Sequence, residues 1–188
     1  MERKSENLEN SAEDEKFLSA NGKEVFVTAE TKKHLSAHPD VLEFLEEAIA
    51  KVRITDDIVF FKEAISLGRE ISISSLINTK LILPDEETDF AMRIEREYPV
   101  RISLNAEGSA CDLVTLKIKF DEKSKKYFLI TAYIGPNTPS NPYYTDRTSD
   151  EYKKSLEFWC SHALAYDPTI MKKPFRASWN SILNKIKK

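Results

Sequence analysis

Cysteine is scarce in this sequence. Its two copies, Cys111 and Cys160, lie far apart, and neither belongs to a CxxC pair. That spacing excludes a cysteine-based zinc site and a disulfide framework, and leaves buried free thiols as the reading for both. Long apolar runs are missing too. None approaches the ~20 residues that cross a bilayer, and the opening Met-Glu-Arg-Lys-Ser-Glu-Asn lacks the apolar stretch of a secretory leader. The chain is therefore expected to be cytoplasmic, with no membrane partner. There is no Walker loop, GxGxxG, GxSxG or HExxH, which sets aside NTPase, dinucleotide-dependent oxidoreductase, α/β-hydrolase and zincin chemistry. An excess of positive charge is absent as well. The formal net charge is −3, so a polyanion would have to be held by a local cationic patch.

What is present fits a globular protein. The 188 residues suit one domain with tails, and a domain of about 150 residues buries close to 70% of its unfolded surface. A hydrophobic content of 41% against 31% charged is ordinary for such a fold. Residues 1–20, rich in Glu, Asn, Ser and Lys, read as a disordered acidic lead. Residues 21–168 read as a single α+β domain, and 169–188 as a basic amphipathic C-terminal helix. No internal repeat is visible.

Within the domain, residues 24–28 suggest a short strand, and Thr28 or Thr31 caps a short helix carrying His34 and Leu35. Pro39 suits the first turn of the next helix, where its missing N–H is not needed. Val41, Leu42, Phe44, Leu45, Ala48, Ile49 and Val52 then follow helical spacing. The middle reads as sheet: a strand over 58–65, an alternating run over 69–78, and another strand over 89–97. Residues 113–120 and 126–134 form the clearest hairpin, expected to be antiparallel. Three prolines in the seven residues 136–142 make a loop. Ser149 caps a helix predicted over 150–165. The tail from Lys172 carries six cations, no acidic residue and an apolar stripe of Trp179, Ile182, Leu183 and Ile186. The expected architecture is α+β: N-terminal helices packed on a mostly antiparallel sheet, with C-terminal helices.

Three segments carry a resemblance. They are Thr31-Lys-Lys-His-Leu-Ser-Ala-His-Pro39, then Leu67-Gly-Arg-Glu-Ile-Ser-Ile-Ser-Ser-Leu76, then Phe128-Leu-Ile-Thr-Ala-Tyr-Ile-Gly135 followed by the Pro-rich loop and Ser155-Leu-Glu-Phe-Trp-Cys-Ser-His-Ala-Leu164. Their order resembles phage- and toxin-associated members of the Barnase–EndoU–Colicin–RelE-like ribonuclease superfamily, over about 25–164. The motifs are short and degenerate, and that superfamily exchanges its catalytic residue types freely. The resemblance implies RNA backbone cleavage with no cofactor and no metal. The ribose 2′-oxygen attacks the adjacent phosphorus, giving a 2′,3′-cyclic phosphate and a 5′-hydroxyl. Such chemistry needs a base, an acid, and cations or hydroxyls at the phosphorane.

Residue types then nominate candidates. His34 stands where the family keeps a histidine before the main helix, and imidazole both takes and gives a proton near neutral pH; otherwise it is a surface or capping residue. His38, before Pro39, caps the following helix, lies in solvent, or is functional. Arg69, after Gly68 at a strand entrance, offers a planar fork to a phosphate, or pairs with Glu63 or Glu70. Thr131, on the strand side of Tyr127, Leu129 and Tyr133, is a phosphate or ribose contact, or a threonine chosen for β-propensity. Thr115 and Lys117, with Lys119, form a polar, cationic stripe that suits RNA or guards a strand against edge pairing. Arg101 with Ser103 offers a second phosphate contact. His162, set beside Phe158 and Trp159, packs against them or helps the Pro-rich loop meet substrate. The leading expectation is a toxin-like or phage-associated ribonuclease acting on RNA, with a protein inhibitor as a further partner. The competing one is a non-catalytic interaction or immunity-type protein.

Overall fold

The computed structural model describes residues 14–36, 39–55, 58–94 and 96–186. His38 lies outside them. In chain order the elements are β1 (Glu15–Leu18), β2 (Glu24–Val27), α1 (Ala29–Leu35), α2 (Pro39–Lys51), β3 (Phe60–Ser66), β4 (Ser72–Ser74), β5 (Leu76–Asn78) and β6 (Thr88–Met92). They continue with β7 (Pro99–Ser103), β8 (Ser109–Cys111), β9 (Leu113–Asp121), β10 (Lys126–Ile134), a 3-10 turn at Pro142–Tyr144, α3 (Asp150–Ser161), β11 (His162–Ala165), β12 (Phe175–Ala177) and α4 (Trp179–Lys185). Four helices and three mostly antiparallel sheets make the protein α+β.

Contacts cluster into two compact units: residues through Arg69 with Leu113–Ile134, and Glu70–Asp112 with Gly135 onward. The expectation of one domain over 21–168 does not anticipate this division.

The first unit is a five-stranded sheet in the order β1-β2-β10-β9-β3. Every pairing is antiparallel except β2 with β10. α2 lies on it, touching β9, β10, β1 and β3. Its buried stripe of Val41, Leu45, Ala48 and Ile49, continued by Val52, follows the helical period and faces a sheet side built from Val25, Val27, Val114, Leu116, Ile118 and Leu129, all buried. Each buried Val, Leu or Ile among them contributes roughly 1.5–3 kcal/mol by leaving water. α1 is capped by Thr28, whose side chain accepts from the Thr31 N–H.

The second unit holds a sheet in the order β12-β6-β7-β11-β5 and a separate β4–β8 ribbon. Its core gathers Phe90, Tyr143, Trp159, Cys160, Trp179, Ile182 and Leu183. Phe90 meets Trp179 edge to face, ring centres 5.0 Å apart, and the Trp179 indole N–H donates to the Trp159 carbonyl at 3.3 Å. Ser149 and Ser178 cap α3 and α4.

Several expected elements differ. The lead is not structureless to residue 20, because Glu15–Leu18 pairs with Glu24–Val27 as a strand. The run 69–78 is two strands, since β4 pairs with β8 while β5 pairs with β11. Between them the Leu76 N–H turns to the Ser74 hydroxyl. The strand expected over 89–97 ends at Met92. The helix expected to reach 165 stops at Ser161; His162 is extended and opens β11, which enters the sheet between β7 and β5. Propensity favoured helix there, and the vacant ladder on both sides favoured strand. The tail helix is shorter than 169–188, because β12 precedes it and Ser178 starts α4.

Trp179 is fully buried at the centre of the second core. Trp179→Ala is expected to cost about 3–5 kcal/mol, read as a lower urea midpoint.

Candidate nucleic-acid interface

Pairing registers place the candidate residues. Side chains directly opposite one another on neighbouring strands project from the same side of a sheet. On the first sheet, Phe60 faces Lys119, Lys119 faces Phe128, Phe128 faces Phe26, and Phe26 faces Lys16. That is one row across all five strands. The next row, ~7 Å along the strands, runs Lys62, Lys117, Thr131. Both rows lie on the side away from the α2-covered apolar residues.

A bulge creates this arrangement. Leu129 opposes Ile118, but Thr131 opposes Lys117, so Ile130 is an extra residue in β10. It reverses the alternation. Tyr127 and Leu129 belong with the buried side, while Thr131 and Tyr133 turn to the lysine side, separating Thr131 from the companions expected for it. Burial agrees: Leu129 and Ala132 are buried, Ile130 is exposed, and Thr131 and Tyr133 are intermediate.

α1 brings the histidine. The Thr31 hydroxyl donates to the Leu129 carbonyl at 3.2 Å, fixing the helix beside the bulge. Three residues on, exposed His34 sets its Nε2 3.5 Å from Thr131 Oγ1. This is a long contact, at the outer limit of a hydrogen bond. The lysines rest on rings: Lys117 Nζ lies 4.8 Å from the Phe60 ring centre, Lys126 Nζ 4.4 Å from that of Phe26, and Lys62 Nζ 5.8 Å from that of Tyr133. Glu24 and Asp121, among the described residues, share the face. Glu24 pairs with Lys16 at 2.8 Å, and Asp121 accepts from the Ser124 hydroxyl and N–H, which hold its carboxyl below the usual range.

Other candidates stand elsewhere. Arg69 forks onto Glu47 of α2, Nη1 to Oε1 at 2.8 Å and Nη2 to Oε2 at 2.6 Å; its expected partners Glu63 and Glu70 are not the ones it takes. Thr115 is on the lysine face by register yet fully buried, so it offers no surface to a substrate. Arg101, in the second unit, is 4% exposed and donates to the carbonyls of Trp159, Cys160, His162 and Lys80. Burial lowers its basicity, and it ties β7 to the end of α3 instead of meeting phosphate. His162 stacks flat on Phe158, ring centres 3.8 Å apart, with Nδ1 2.9 Å from the Phe158 carbonyl. It is a packing residue that closes α3.

The structure thus brings together His34, Thr131 and Lys117, with Tyr133 in the following row. It adds Phe26, Phe60, Lys62 and Phe128, whose membership depends on register and carried no motif. Among the described residues no three His, Cys, Asp or Glu side chains gather into a metal-binding group, and no helix is long and apolar enough to cross a membrane. No family, curated protein or solved structure matches the chain.

The Arg69 fork, helped by Lys51, pulls the Glu47 carboxyl from an ordinary 4.5 to about 2. The ion pair is therefore complete above pH 4.5 and lost as pH falls through about 2. In carbon-detected NMR titrations Glu47 is expected to titrate near 2, and in Arg69→Ala to return toward 4.5. An unmoved Glu47 in that variant contradicts the assignment.

Proposed function

We propose that the protein is a metal-independent endoribonuclease acting on RNA laid across the lysine-bearing face of the first sheet, as the resemblance implies. What supports the reading is the contact of His34 with Thr131 at the end of the Lys62–Lys117 row. His34 takes the proton of a ribose 2′-hydroxyl. The freed oxygen bonds to the adjacent phosphorus, the bond to the 5′-oxygen breaks, and a 2′,3′-cyclic phosphate remains. Thr131 steadies the imidazole and meets a non-bridging oxygen. Lys117 and Lys62 set positive charge where the phosphorane becomes more negative, the role expected of Arg69. The departing 5′-oxygen takes its proton from solvent.

The test is RNA incubated with the protein in EDTA, reading cyclic-phosphate ends. His34→Ala is expected to lower the rate by at least about 100-fold, Thr131→Val by less, and Arg69→Ala not at all. Wild-type rates in His34→Ala remove the imidazole from the mechanism. RNA left intact by the wild type favours a non-catalytic interaction protein, a reading consistent with the structural use of both Arg69 and Arg101.

A further inference from the structure

The aromatic row has no part in the chemistry just described. Phe60, Phe128 and Phe26 stand on three strands of one sheet in a single register, with Lys119 between the first two. Phe26 and Phe128 are 5.8 Å apart, centre to centre, and tilted by 41°. Phe60 is 46% exposed, high for a phenylalanine facing neither helix nor core. A ring kept at the surface costs apolar hydration that burial would recover. Lysines flank every ring in the row: Lys117 over Phe60, Lys126 over Phe26, and Lys119 across from Phe128.

We propose that this row is a stacking platform for the unpaired bases of a single-stranded nucleic acid, reading the flat faces of the bases and not the sugar. The proposal shares its face with the ribonuclease reading and rests on it for the choice of nucleic acid as occupant. Charge argues the same way. In a chain of net charge −3, the two rows and their margin collect Lys16, Lys62, Lys117, Lys119 and Lys126 against Glu24 and Asp121. Lys16 pairs with Glu24, while Lys117 and Lys126 rest on the rings of Phe60 and Phe26, in reach of a phosphate backbone lying over the row. Every base has a π-face, so stacking tolerates sequence. A duplex hides those faces and is refused. A DNA strand presents them as well as RNA does, but has no 2′-hydroxyl to be attacked. Single-stranded DNA is therefore bound uncut and blocks RNA cleavage.

The experiment is fluorescence anisotropy of a labelled oligothymidylate 20-mer with the full chain, beside a 20-base-pair duplex. Thymidylate has no self-structure and cannot undergo 2′-oxygen attack, so binding is read apart from cleavage. Wild type is expected to prefer the single strand. Phe60→Leu and Phe128→Leu, which keep apolar bulk and lose the π-face, are each expected to weaken it by about 5- to 100-fold. Lys119→Ala should lower the salt slope by about 0.7, and Arg69→Ala, whose guanidinium is held on Glu47, should bind as wild type does. Circular dichroism verifies that each variant is folded. The platform is overturned if the single strand is not bound at low salt, if the duplex binds equally well, or if both leucine variants bind as wild type. The first outcome, with RNA also left uncut, assigns the face to a protein partner. Binding without RNA cleavage leaves the platform standing and removes the ribonuclease; cleavage without thymidylate binding does the reverse.

Discussion

The hydrogen bond from the Thr31 hydroxyl to the Leu129 carbonyl joins α1 to β10 beside the register shift of the central hairpin. Much of the candidate site follows from that one attachment. It orients a seven-residue helix too short to be stable alone, and so sets where His34 points. It also sits where Ile130 is accommodated as an extra residue, and that residue turns Thr131 toward the lysines. Without the bulge, Thr131 would share the apolar side with Leu129, covered by α2. Without the attachment, His34 would have no reason to stay near Thr131.

The two arginines show the opposite use of charge. Arg101 is buried and surrounded by carbonyl oxygens at the end of α3, where the negative pole of the helix and its unpaired acceptors welcome a cation. Arg69 lies at the surface and closes on Glu47 with both prongs. Each guanidinium is held by groups that a phosphate would have to displace. The lysines on the sheet are held more loosely: Lys117 and Lys126 rest on rings, a contact compatible with a polyanion arriving above them.

Periodicity made much of the first unit legible. The α2 stripe and the β9–β10 hairpin were readable from residue spacing, and the α1 cap was narrowed to Thr28 or Thr31, of which Thr28 is the one used, because each is decided by local sequence. His34 and Thr131 were nominated from their chemistry, 97 positions apart, and they do meet. Arg69 was nominated beside them because a Gly-Arg step looks like a phosphate clamp, and nothing local reveals its partner Glu47 on α2. Strict alternation put Thr131 with Tyr127, since no residue type marks Ile130 as the extra one. The aromatic row was invisible for a similar reason. Phe26, Phe60 and Phe128 sit in three separate strands, and only pairing between strands aligns them. In the second unit, β11 read as helix because its residues continue the α3 pattern, and the neighbours that turn it into a strand come from distant sequence.

The chain passes between its two units three times, at 69–70, 112–113 and 134–135. A nascent polypeptide emerging from the ribosome therefore cannot finish one body before starting the other. β1, β2 and β3 are made first but occupy the margins of their sheet; the strands that join them, β9 and β10, appear after most of the second body's ladder has been translated. Until then, three strands with unsatisfied ladders wait in solution, an invitation to wrong partners. Closure by such distant pairings is slow. For the same reason, a cut in this gene at 112–113 divides both bodies, whereas a cut at 69–70 or 134–135 leaves one of them whole and deprives the other of part of its sheet.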